Sequence, residues 1–240
     1  MPADSRLLLI LLASICFLFY WIFATPRDQV SPIGAMMKTA STGLLAVVAL
    51  SYPASSFWLI GLGLAFGALG DFALTRRSQT AFLVGMAAFA AGHLAYVAAF
   101  WQRSQCIAES VPLPPAAPSG PMFATLIALL ALLVSTEIWL APRTGPLRWP
   151  VRGYVVVIGL MGFAALLLLP HPENAGATVL QIGAALFILS DLLLALRLFV
   201  YPAGKTARGL SLALWPAYWG GQALILGGAM LYWRPLASYC

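Results

Sequence analysis

Eight uninterrupted apolar runs, each about as long as a bilayer's hydrocarbon core is thick, constrain this chain more than any other feature. A helix rising 1.5 Å per residue needs roughly 20 apolar residues to cross about 30 Å of hydrocarbon. Breaks at Pro, Gly and charge delimit such runs near residues 7–24, 33–51, 57–75, 80–101, 121–140, 151–169, 177–199 and 209–231. They are continuous and lack the two-residue alternation of an outer-membrane barrel, so helices are expected. Of the 240 residues, 62% are hydrophobic and 8% charged, which excludes both an ordinary soluble domain and a disordered chain. The expected fold is all-α, a polytopic membrane protein of eight transmembrane helices. Short connections leave no room for a separate soluble unit, so residues 1–240 are expected to form a single integral-membrane domain. The first span is expected to be retained, because only Arg6 precedes it and no clear small-x-small cleavage site follows.

The formal net charge is +6, but the basic residues are scattered over short loops and form no patch on one element, so no nucleic-acid partner is expected. Their distribution instead speaks to orientation. The termini and the even-numbered connections hold Arg6, Arg103 and Arg234; the odd-numbered connections with their helix ends hold Arg27, Arg76, Arg77, Arg143, Arg148, Arg152, Arg197, Lys205 and Arg208. The positive-inside rule then puts both termini outside and the odd-numbered loops in the cytoplasm of a multi-pass cell-membrane protein, a bacterial inner membrane being the expected home. Residues 102–120 contain VPLPPAAPSG and read as an extended linker. Cys106 and Cys240 would share the outer side, where pairing is chemically allowed, although unpaired thiols are expected. The three cysteines show no CxxC or Cys/His ligand spacing, so no metal is expected.

The two halves resemble each other. GLAFGALGDFAL, from Gly63, aligns with GAALFILSDLLL, from Gly183, matching Gly63 with Gly183 and Asp71 with Asp191. FAAGH, Phe89 to His93, aligns with YWGGQ, Tyr218 to Gln222, in the same order. Copies four spans apart cross the membrane in one direction, which suggests two parallel four-helix repeats related by an axis along the membrane normal.

A charge in a spanning helix costs about 2.5–3.5 kcal/mol on insertion scales, so such residues are functional candidates by default. Here they are Lys38, Asp71, His93, Glu137 and Asp191, with Tyr96, Tyr154, Tyr218 and Gln222 as uncharged companions. Counting 1.5 Å per residue from the nearer cytoplasmic helix end puts Lys38 and Asp71 roughly 6–8 Å deep, Asp191 and Tyr218 roughly 12–14 Å, and His93 and Gln222 roughly 20 Å. Glu137 reads as a side chain snorkelling to the nearby surface, and Tyr154, with Trp58, Trp101, Trp139 and Trp149, as an interfacial anchor. Gly63, Gly67 and Asp71 share one helix stripe, so Asp71 should face protein.

No GxSxG, HExxH or phosphate-binding glycine loop is present. Two buried carboxylates in unlike surroundings are instead the pattern for acid–base cleavage of an acid-labile ether or glycosidic bond. Lys38 is expected to keep Asp71 charged, and Asp191, without a cation at its depth, to keep a proton to give. The lipid-embedded position implies a substrate with an acyl or alkenyl tail.

GALGD (Gly67 to Asp71), FxxGxxxFxxxHxxY (Phe82 to Tyr96), GAALFILSDLLLAL (Gly183 to Leu196) and YWGGQ (Tyr218 to Gln222) together resemble the YhhN-like family, the lysoplasmalogenases. The resemblance runs from about Lys38 to the last helix. It implies an eight-helix membrane hydrolase that splits the vinyl ether bond of lysoplasmalogens into a fatty aldehyde and a glycerophospho-base, with Asp71 and Asp191 as the catalytic pair. Lys38, His93, Tyr96, Tyr218 and Gln222 would bind substrate and position water. The implied partners are the lysophospholipid and the surrounding membrane lipids; no cofactor is called for. A transporter or lipid-binding protein using the buried charges as a relay is the competing class. Against it, the polar groups cluster toward one face and leave no titratable chain to the other.

Overall fold

The computed structural model describes residues 1–25, 31–52, 57–110, 120–168 and 175–233, with the backbone alone described at 108–110. All regular structure among them is helical: α1 (Ala3–Phe19), α2 (Pro32–Leu50), α3 (Phe57–Leu74), α4 (Gln79–Ser110), α5 (Gly120–Trp139), α6 (Arg148–Leu166), α7 (Gly176–Ala195) and α8 (Gly204–Trp233). Short π-helical turns, Tyr20–Ala24 and Leu196–Val200, extend α1 and α7. The first seven helices are long and apolar enough to cross a membrane. At 30 residues α8 has the length but is less apolar, because Lys205, Arg208, Tyr218 and Gln222 lie along it. The expected spans are otherwise met closely. The exception is the Pro-rich linker: α4 continues through Ser110, so only 111–119, outside the described residues, remain of it.

Local chemistry sets the helix ends. Ser31 caps α2 by accepting from the Gly34 amide at 3.1 Å, and Pro32 occupies the first helical position, where its missing N–H costs nothing. Pro216 inside α8 leaves the Leu212 carbonyl without its usual partner four residues on, and Trp21 supplies one through its indole N–H at 3.0 Å. Arg6 donates to the Ser51 carbonyl just beyond α2 at 3.0 Å, and Arg103 to the Tyr232 carbonyl in the last turn of α8 at 3.1 Å. Both arginines therefore serve as C-terminal caps. Cys106, expected as a free thiol, is disulfide-bonded, and Cys16 is the free cysteine among the described residues. Cys240 lies outside them.

Glycine pairs bring α3 against α4 and α7 against α8. A β-carbon on Gly92 would come within 2.9 Å of the Gly63 carbonyl oxygen, and one on Gly221 within 2.8 Å of the Gly183 oxygen. Gly63 aligns with Gly183 and Gly92 with Gly221, so the same backbone-to-backbone contact recurs at matching positions of the two halves. Both hairpins are antiparallel: Gly70 meets Phe89 while Gly63 meets Tyr96, and Gly183 meets Ile225 while Gly228 meets Leu180. By contrast, α5 buries no residue fully and rests chiefly on α6, where Leu133 and Leu129 sit over Gly159 and Gly162.

Candidate active site

Two hydrogen-bonded groups lie inside the bundle, one around each aspartate. Asp71, 1% exposed, takes the Lys38 ammonium at 3.3 Å on Oδ1. Its Oδ2 accepts from the hydroxyls of Thr42 at 3.0 Å and Tyr218 at 2.9 Å. Gln222 donates to the Tyr218 oxygen at 3.4 Å, and Tyr96 donates to the Gln222 side-chain carbonyl. Tyr96, Tyr218 and Gln222 are all buried. Gly67 makes this cluster possible, since a β-carbon there would sit 2.6 Å from Gln222 Nε2. Thr42 was not anticipated; its place one turn after Lys38 was the available signal.

Asp191 has different company. Tyr154, on α6, donates to Oδ2 at 2.9 Å, and His93 Nε2 lies 3.1 Å from the Tyr154 oxygen and 3.4 Å from Oδ2. His93 is fully buried against the Phe187 ring, centroids 4.6 Å apart, and its Nδ1 has no partner. No donor among the described residues reaches Asp191 Oδ1. Asp191 and Tyr154 line a pocket between α4, α5, α6 and α7 whose remaining walls are almost wholly apolar, including Phe89, Met86 and Ile188. Its lining extends to the end of the bundle that carries the connections after α3, α5 and α7, where Phe82, Val151 and Phe199 sit.

These facts revise three expectations. Tyr154 is part of the polar site and not merely an interfacial anchor. Trp139 lines the pocket, whereas Trp58, Trp101 and Trp149 are exposed as a membrane belt requires. Glu137 does not simply snorkel: it forms a bidentate pair with Arg152 that ties the end of α5 to the start of α6. The depth estimates also shift, because Asp71 bonds Tyr218 and Asp191 sits level with His93; helix ends do not share one plane, so counting from them misplaces residues. The pocket lining includes Asp191 and not Asp71. Between the two groups stands a layer of rings, with Tyr218 edge-on to Phe89 and Phe187 at centroid distances of 5.7 and 5.2 Å. Among the described residues, no three of His, Cys, Asp and Glu are grouped as a metal site would require.

A carboxyl group with one oxygen unengaged, on the wall of an apolar pocket, is an arrangement suited to proton transfer to an apolar substrate. The family model described as the YhhN family matches residues 33–229, which include every residue of both groups. The chain belongs to the YhhN family. Among relatives of this YhhN protein, lysoplasmalogenase TMEM86A of Bos taurus is 30% identical over 92% of this chain and 88% of its own length. Lysoplasmalogenase TMEM86B of Rattus norvegicus is 30% identical over 88% and 79%, and a lysoplasmalogenase of Mycobacterium tuberculosis 30% identical over 80% and 68%. No solved structure matches the YhhN chain.

Proposed function

We propose that this YhhN protein is a lysoplasmalogenase: a hydrolase that cleaves the vinyl ether bond of lysoplasmalogens, with Asp191 as the proton donor. The contrast in how the two carboxyl groups are engaged carries this reading. Both Asp71 oxygens are occupied, by an ammonium and two hydroxyls, as befits a carboxylate. Asp191 lies on the wall of an almost wholly apolar pocket with Oδ2 engaged by Tyr154 and Oδ1 left without a donor among the described residues.

In the proposed reaction, Asp191 Oδ1–H protonates the vinyl carbon that is not bonded to oxygen, leaving an oxocarbenium ion and the Asp191 carboxylate. Water adds to the cationic carbon and returns its proton to Asp191, giving a hemiacetal. Proton transfer to the ether oxygen then lets the hemiacetal collapse to fatty aldehyde and the free glycerol hydroxyl, so that one water is consumed and the acid is restored. His93 holds the Tyr154–Asp191 pair in place. Asp71 with Lys38, Tyr218, Gln222 and Tyr96 forms a fixed polar wall behind the ring layer, a positioning role in place of membership of the catalytic pair that the resemblance implied.

The charge distribution supports a cytoplasmic position for the end of the pocket lined by Phe82, Val151 and Phe199, with both termini outside. The described arginines of the opposite face are Arg6 and Arg103, whereas the odd-numbered loops and their helix ends hold most of the Lys and Arg residues. There Arg76, Arg77 and Lys205 would receive the phosphodiester. The test is aldehyde release from lysoplasmalogen by detergent-solubilised protein in heavy water. Turnover without a membrane gradient, with one deuterium at the aldehyde carbon next to the carbonyl, supports the reading; binding without turnover would instead favour a carrier.

A further inference from the structure

The internal repeat extends to the residues that hold the two acids. Asp71 of α3 is bound by Tyr218 of α8, and Asp191 of α7 is approached by His93 of α4, so each acid reaches across to the closing helix of the other half. The neighbouring helices complete the correspondence. Lys38 stands six residues after Pro32, which begins α2, and Tyr154 six residues after Arg148, which begins α6; both helices have 19 residues. Lys38 touches Asp71 and Tyr154 touches Asp191. The same station therefore carries a fixed cation in one half and a neutral hydroxyl in the other.

We propose that Tyr154 is the positioning residue that makes Asp191, and not Asp71, the acid: it occupies the station of Lys38, brings no charge, and engages Oδ2 alone, so that Oδ1 is left to deliver the proton. This rests on the functional reading above and adds a residue to it. An ammonium opposite a carboxyl group favours its ionised form, and a carboxylate has no proton to donate. A tyrosine hydroxyl supplies one hydrogen bond and no charge, and because that bond goes to Oδ2 the position left for a proton is Oδ1. His93 reinforces the choice, since its Nε2 approaches the Tyr154 oxygen and Oδ2 and leaves Oδ1 untouched.

The experiment compares Tyr154→Phe, Tyr154→Lys and Asp191→Asn, purified in detergent, by steady-state kinetics and by the infrared stretch of a protonated carboxyl group. Tyr154→Phe keeps the ring and loses only the hydroxyl; kcat should fall about 10- to 100-fold with KM within about threefold, as for removal of one placed donor. Tyr154→Lys should abolish turnover, by about 10³-fold or more, and remove the protonated-carboxyl band that Asp191→Asn also removes. A merely structural tyrosine would lower thermal stability without that spectroscopic change. Retention of the band in Tyr154→Lys, or kcat in Tyr154→Phe within about twofold of the parent, would overturn the proposal. If Tyr154→Lys does not fold, Tyr154→Phe decides alone. Full activity in Asp191→Asn would instead sink the acid assignment itself, a separate failure.

Discussion

Tyr218 of α8 donates its hydroxyl to Asp71 of α3 at 2.9 Å, so the buried acid of the first half is held by a helix of the second. Tyr218→Phe keeps the ring packed against Phe89 and Phe187 and deletes that one bond. Removing a hydrogen bond to a charged group costs about 1.5–3 kcal/mol. Thermal unfolding in detergent should show that loss, with kcat reduced more than KM is raised, because the wall behind the reacting region loosens.

Lys38 and Asp71 are a second case of mutual dependence, at 13% and 1% side-chain exposure. Lys38→Met leaves a buried carboxylate with two hydroxyl partners and no counter-charge, a change worth about 3–5 kcal/mol when one member of a buried pair is removed. Lys38→Met combined with Asp71→Asn should recover most of that stability. A double-mutant cycle on unfolding free energies measures the coupling; additive effects would refute the dependence.

Gly183 faces the Gly221 carbonyl so closely that Gly183→Ala drives a methyl group into backbone. Overpacking of this kind costs about 1–3 kcal/mol or more. Gly153, which has open space around the position of a β-carbon, is the control: Gly153→Ala should leave the unfolding midpoint unchanged or raise it.

Glu137 and Arg152 lie at the surface, with side-chain exposures of 48% and 33%. Such pairs contribute little to stability and are screened by salt. Glu137→Gln should leave both the unfolding midpoint and aldehyde release near parental values, as measured side by side at low and high ionic strength.

Much of this molecule is legible in its sequence, for definite physical reasons. Continuous apolar runs of bilayer length leave helix as the only way to satisfy the backbone, so all eight helices are recovered. The glycine and aspartate columns of the repeat are legible because close helix contact and buried charge tolerate few residue types. The pairing of Lys38 with Asp71 follows from the cost of an isolated ion. Tyr154 escaped because a tyrosine near a helix end is common at membrane interfaces, and its role depends on a rotation of α6 that no pattern in the sequence specifies. Thr42 escaped because a hydroxyl inside a span ordinarily bonds its own helix backbone, as Ser41 does with the Lys38 carbonyl at 2.7 Å. The ring layer between the two acids depends on packing across both halves, which spacing along either half does not reveal.

In the proposed reaction, Asp191 gives the proton that breaks the ether. The most direct test of that step is aldehyde release from lysoplasmalogen by purified Asp191→Asn, set beside the parent protein, with unfolding midpoints confirming that both are folded. In the variant kcat should be at least about 10³-fold lower, since an amide has no acidic proton to deliver. A folded Asp191→Asn protein turning over within about tenfold of the parent would contradict it.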